Sequence, residues 1–187
     1  MNNLEMIKIY KEEEIQKIID NVSELYDKVY KDSSTEKGHL KNRINNSLKL
    51  KRNTIILTEE QDGQIIGVLF GFDFKKENWW AEQIIDILPE GINWFENSFE
   101  LNELFVDNDF QDRKVGHDLL SYLSNTRFDY VLLSVKKSNE KAIHLYNKFG
   151  YESIQKGDFY FKNITVPFKI MCKNNKSNYL EERNTWN

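Results

Sequence analysis

Asn139, Ala142, Tyr146 and Gly150 are spaced as a capped helix carrying a tyrosine that packing does not demand. Ser138 or Asn139 can cap the first turn with a side-chain oxygen. Ala142, Tyr146 and Phe149 recur at i, i+4 and i+7, so one face should be buried, and Gly150 stands where a helix ends in a left-handed residue. Tyr146 is then either a core aromatic or a functional phenol. Upstream, Glu103-Leu104-Phe105-Val106 is a short apolar strand and Asp107–Phe110 a turn. Gln111-Asp112-Arg113-Lys114-Val115-Gly116-His117 opens a helix that runs through Leu119, Leu120 and Leu123 to about Phe128. A strand feeding a tight loop at a helix N-terminus offers backbone N–H groups and the positive end of the helix dipole to an anion. Arg113, Lys114 and His117 add charge or donors there.

Together these two segments resemble the GCN5-related N-acetyltransferase (GNAT) family, which uses acetyl-CoA. The family's pyrophosphate loop follows Gln/Arg-x-x-Gly-x-Gly/Ala, and Gln111 to Gly116 match it except at Lys114. The family's later helix follows Asn-x-x-Ala-x-x-x-Tyr-x-x-x-Gly-Phe/Tyr, and Asn139, Ala142, Tyr146, Gly150 and Tyr151 fill every position. Detailed likeness covers residues 98–162 and the remainder only in element order. Lys114 is the departure. Glycine there permits a positive φ or close approach of the backbone to phosphate, and a lysine held left-handed costs on the order of 1–2 kcal/mol. Either the loop keeps a negative φ, or Lys114 compensates by reaching a phosphate.

The resemblance implies a set of roles. Main-chain groups of Leu104, Phe105 and Val106 would bind the pantetheine arm and the acetyl carbonyl, such donors being worth about 2.7–4 kcal/mol each. Gln111, Asp112, Arg113, Lys114, Val115, Gly116 and His117 would hold the pyrophosphate, and Asn139 would bond the pantetheine arm. Tyr146 would be the general acid for a thiolate whose conjugate thiol has a pKa near 8.5. Glu103 would take the ammonium proton, directly or through water. Glu100 is its rival, since a bulge in the strand would shift the side-chain alternation. No metal is implied. The activity would be N-acetyltransfer to an amine of a small molecule or peptide by direct attack. The alternative is a non-catalytic or regulatory relative that binds CoA without turnover.

Composition sets the outer limits. A chain of 187 residues with 40% apolar and 30% charged residues is long enough for a substantial core. The net charge of −4 gives no general attraction to nucleic acid, which disfavours acceptors carried on RNA. No run approaches the length needed to span a bilayer, and the start of the chain has neither a basic n-region nor an apolar h-region. The single cysteine, Cys172, lies in an apolar run and reads as a core thiol. A cytoplasmic enzyme fits these features.

The positioning elements follow from periodicity. Ile7–Tyr10 reads as a strand, Glu12–Tyr30 as a helix and the basic stretch Lys37–Arg52 as a second helix with a solvated charged face. Residues 54–58 and 64–73 flank Asp62-Gly63 as a hairpin. Residues 99–106 and 130–135 give two more strands, and Glu152–Phe161 with Val166–Cys172 should close the sheet. The expected fold is α/β (α+β), with a mixed, mostly antiparallel central sheet of about seven strands and about four flanking helices. Residues 1–172 form one domain in this reading and 173–187 a polar tail. Between the third and fourth strands lies an insertion, 74–98, with three of the four tryptophans: Trp79, Trp80 and Trp94. Trp80, Ile84, Ile85, Ile87 and Leu88 suggest a short helix within it. These tryptophans either anchor the insertion or form the wall of an acceptor pocket or a homodimer surface.

Overall fold

The computed structural model describes residues 6–176. Seven strands and five α-helices are present among the described residues: β1 (Met6–Lys11), α1 (Ile19–Val29), α2 (His39–Lys49), β2 (Ile55–Gln61), β3 (Gln64–Asp73), α3 (Trp79–Ile84), β4 (Ser98–Val106), α4 (Val115–Ser124), β5 (Tyr130–Lys136), α5 (Glu140–Lys148), β6 (Glu152–Ser153) and β7 (Phe168–Asn174). The hydrogen-bonded strand order is β1-β2-β3-β4-β5-β7-β6. Pairing is antiparallel in the β1–β2, β2–β3, β5–β7 and β6–β7 pairs and parallel between β4 and β5, where Ser98–Glu100 run beside Tyr130–Leu132. The sheet is mixed, with a helical insertion after its third strand, as expected.

The chain divides into two compact units, one comprising the chain up to Phe72 with Leu101–Leu123, the other Asp73–Glu100 with the chain from Ser124. In the first, α1 and α2 bury Ile19, Val22, Leu25, Tyr26, Leu40 and Ile44 against Ile56, Val68, Phe70 and Phe72, every second residue of β2 and β3. The hairpin turns through Asp62 and Gly63, both left-handed at φ 52° and 79°, as a type I′ turn requires. In α4, Val115 and Leu119 pack on Gly67 of β3, where a Cβ would stand 2.3 Å from Val115 Cγ1. Glycine is required there because another element approaches the backbone directly.

In the second unit, Phe74, Trp80, Ala81, Ile84 and Trp94 of the insertion share a core with Tyr130, Leu132, Phe161 and Ile170. The C-terminal end of α5 is a complete Schellman motif: Tyr151 N–H donates to the Tyr146 carbonyl (3.1 Å) and Gly150 N–H to that of Asn147 (3.0 Å), with Gly150 at φ 80°.

Several boundaries differ from the periodicity. The helix expected over Glu12–Tyr30 is a 3₁₀ turn, Glu12–Lys17, followed by α1, with a break at Ile18 (φ −122°, ψ −8°). Clustered β-branched Ile15, Ile18 and Ile19 crowd a continuous α-helix. The helix expected from Gln111 begins only at Val115, because Asp112 and Lys114 are left-handed, and ends at Ser124, before Asn125-Thr126, both poor helix formers. The long closing strand from Glu152 shrinks to two residues of β6 and one bridge, Phe159 with Phe168, since Gly157 at φ 92° turns the chain between them. The charged face of α2 is not merely solvated: Lys41 pairs with Asp20 and Arg43 with Glu103. β7 continues to Asn174, and the tail residues 177–187, with Tyr179 and Trp186, lie outside the described residues.

Candidate functional site

The loop before α4 has an unusual backbone. Asp112 and Lys114 adopt φ of 62° and 67°, and the first α-helical bond runs from Asp118 N–H to the Lys114 carbonyl (2.9 Å). The backbone N–H groups of Val115 and Gly116 stand in the first turn, ahead of that bond, where a helix offers its N–H groups outward. Alternation of left- and right-handed residues at a helix start makes an anion-binding concavity. Lys114 takes the left-handed conformation that glycine adopts without cost, so of the two alternatives the one in which the loop keeps a negative φ is ruled out. Around this loop, Arg113 lies over the Phe110 ring (5.2 Å), Gln111 Nε2 donates to Asn108 Oδ1 (3.0 Å) and His117 Nδ1 is 3.1 Å from Asp118 Oδ1.

The turn leading into the loop is pinned. Asp107 N–H donates to the Ile66 carbonyl, and Lys28 of α1 donates to both Asp107 carboxylate oxygens (2.9 and 2.8 Å) and to Asp109 (3.3 Å). Burial pushes the Asp107 carboxyl up, but the Lys28 hydrogen bond, the Asp109 N–H and the Lys28 charge outweigh it and hold it below the usual value. Nothing in the sequence pointed to Lys28, which sits on the solvent side of the helical pattern.

Glu103 and Phe105 are two residues apart on β4 and so share a face. Phe105 is buried against Tyr26 (5.2 Å, edge-on) and Tyr30. Glu103 Oε1 accepts a hydrogen bond from Arg43 Nη1 at 2.5 Å. Burial raises the Glu103 carboxyl, and the charge and hydrogen bond of Arg43 oppose it. Burial also raises the Tyr26 hydroxyl to about 12, with a further push from Glu103. Beside this group a cavity of about 490 Å³ is lined by Tyr26, Asp27, Tyr30, Lys31, Thr35 and Lys37, among others. Arg43 was missed in the sequence because it reads as one cation among many. Its position next to Ile44 and three residues from Leu40, at the border of the apolar stripe of α2, was the available signal.

In the second unit, Asn139 caps α5, its Oδ1 accepting from Ala142 N–H at 3.1 Å. Its Nδ2 makes no protein hydrogen bond among the described residues. Tyr146 is the buried residue of α5, its ring 5.6 Å from that of Tyr151. The rival carboxylate, Glu100, is buried and accepts from Asn78 Nδ2 at 3.0 Å. Trp80 and Trp94 are buried in the core of this unit, Trp94 donating to the Pro89 carbonyl (2.9 Å), whereas Trp79 is 57% exposed and stacks on Phe161. Cys172 is half-buried, its thiol pushed up to about 12 by burial. Among the described residues no His, Cys, Asp or Glu group is arranged to hold a metal ion. No described helix is long and apolar enough to cross a membrane.

Residues 51–153 match the acetyltransferase (GNAT) domain. The chain therefore belongs to the GNAT acetyltransferase family, whose cosubstrate is acetyl-CoA. No curated protein matches the sequence. Among solved structures the fold resembles yncA of Salmonella typhimurium, determined with its cofactor acetyl-CoA (14% identity, 91% of this chain and 95% of that one, TM-score 0.63). It also resembles the ribosomal-protein-S18-alanine N-acetyltransferase of Escherichia coli (16%, 90% and 94%, TM-score 0.61). A third likeness is to mutant forms of the spermidine/spermine N-acetyltransferase SpeG of Vibrio cholerae (16%, 95% and 99%, TM-score 0.59).

Proposed function

We propose that this chain is a cytoplasmic, acetyl-CoA-dependent N-acetyltransferase acting by direct transfer to an amine of a small molecule or peptide. Residues 1–172 carry the activity in this reading, and β7 continues two residues past that boundary, to Asn174. The observation that carries it is the left-handed Lys114. A lysine in place of glycine is the ground for the alternative, a CoA binder without turnover, and the left-handed Lys114 supplies the positive φ that glycine would permit.

Acetyl-CoA, when bound, supplies an acetyl group activated as a thioester. Backbone N–H groups from Val115 to His117 hold its pyrophosphate, with Arg113 and Lys114 adding charge and Gln111 and Asp112 shaping the loop. Main-chain groups of Leu104, Phe105 and Val106 orient the pantetheine arm and stabilise negative charge developing on the carbonyl oxygen. The Asn139 Nδ2 donates to the same arm. Glu103 accepts a proton from the acceptor ammonium, directly or through water, freeing the amine lone pair for attack. The Tyr146 hydroxyl donates a proton to the departing sulfur. The cavity beside Tyr26 and Tyr30 takes the acceptor.

The names of two structural neighbours mention spermidine/spermine and a ribosomal-protein alanine, so the acceptor panel should include spermidine and an alanine peptide with a free amine. Thiol release from acetyl-CoA above the amine-free rate supports the proposal. Calorimetric binding of acetyl-CoA with no amine-dependent release across amines, aminoglycosides and peptides favours the non-catalytic alternative.

A further inference from the structure

Three features of the first unit converge on one carboxylate. Glu103 shares a face of β4 with Phe105, whose ring packs against Tyr26 of α1 and Tyr30 just after it, and both phenols feel the Glu103 charge. Its side chain is 19% exposed. One cation, Arg43, reaches it, from α2 and through a single guanidinium nitrogen at 2.5 Å. A carboxylate removed from water without a partner would protonate rather than stay charged.

We propose that Arg43 is a positioning residue for Glu103: its guanidinium clamps the carboxylate on β4 in one orientation and favours its charged form. This rests on the reading of Glu103 as the proton acceptor. A base must be unprotonated before it can take a proton, and its carboxylate must point one way to receive it. Arg43 favours both, because its charge opposes protonation and it holds one oxygen, leaving the other to the acceptor. The groups facing Glu103 are Tyr26 and Tyr30 from α1 and Arg43 from α2. Both phenols are raised by burial and then by the Glu103 charge, so neither ionises near neutral pH. Arg43 lowers the Tyr26 hydroxyl and opposes the rise at Glu103. The pH response of this group is therefore that of one carboxyl, raised by burial and drawn back by one guanidinium.

The test follows the Glu103 carboxyl by carbon NMR in protein labelled at glutamate side-chain carboxyls, with Glu103→Gln used to assign the resonance. In Arg43→Gln the titration midpoint should move to higher pH, and Arg43→Lys should restore most of the difference. Coincident midpoints in parent and Arg43→Gln overturn the proposal. If Arg43→Gln alone unfolds, the double variant with Glu103→Gln should recover stability, because no unpaired buried charge remains. Equal loss in single and double variants also overturns it. With the panel's best amine, the acid limb of kcat/KM should shift in the same direction as the midpoint, while acetyl-CoA binding by calorimetry stays as in the parent. A shifted midpoint with an unmoved acid limb leaves the clamp standing and removes Glu103 as the base.

Discussion

Gly67 and Val115 are in contact so close that no side chain fits between them: an added Cβ would lie 2.3 Å from Val115 Cγ1 and 3.2 Å from Leu119 Cδ1. Val115 is the first residue of α4, directly after the left-handed Lys114. The backbone of β3 thus fixes where this loop ends and α4 begins. Gly67→Ala should push α4 outward, costing about 1–3 kcal/mol as overpacking, and should weaken acetyl-CoA binding. Chemical denaturation and calorimetry check both. A variant as stable as the parent with unchanged affinity would show that the helix start gives way freely.

Lys114 carries a backbone cost that glycine would not. Lys114→Gly should relieve roughly 1–2 kcal/mol of left-handed strain, less what the freer unfolded chain takes back. If the ammonium also meets a phosphate, the same variant should bind acetyl-CoA more weakly, with a smaller salt dependence. Melting temperature and affinity would then move in opposite directions. An unaltered salt dependence would limit Lys114 to its backbone role.

The Lys28–Asp107 pair gives the turn before that loop a defined pH response. Asp107 has a folded pKa held below its ordinary value of 3.8. Its stabilisation is therefore fully present above the unfolded value and is lost as pH falls through the lowered folded one. Lys28→Met should lower the melting temperature at neutral pH, and the deficit should close as the pH drops below that ordinary value. A deficit that persists unchanged well below that value would assign the effect to packing of the lysine stem.

The insertion tryptophans should separate by burial. Trp94→Ala removes a ring 4.7 Å from Tyr130 together with a hydrogen bond to Pro89, and should cost about 3–5 kcal/mol. Trp79→Ala should leave stability nearly unchanged and raise the acceptor KM. Acceptor kinetics identical to the parent in Trp79→Ala, Trp80→Ala and Trp94→Ala alike would make the insertion purely structural.

How much was legible depended on the range of the interaction. The cap at Asn139, the stop at Gly150 and the Asp62-Gly63 turn are local backbone chemistry, and each stands where the sequence put it. The shape of the Lys114 loop was not legible, because lysine is an improbable left-handed residue and only the packing of Val115 on Gly67 explains why it is held there. The same limit applies to the roles of Arg43 and Lys28. Their partners, Glu103 and Asp107, are distant in sequence, and one cation in a basic helix looks like any other until the fold selects it. The shortened β6 was missed for a different reason: an apolar, aromatic run looks like a strand even where Gly157 bends it.

The most direct measurement of the account is Tyr146→Phe, which keeps the ring that packs on Tyr151 and removes only the hydroxyl. Acetyl-CoA affinity by calorimetry should stay close to the parent's, while thiol release with the best amine falls by roughly 10²–10⁴-fold, the range of general acid catalysis. A Tyr146→Phe protein that binds and turns over like the parent would contradict the assigned chemistry and leave Tyr146 a core aromatic.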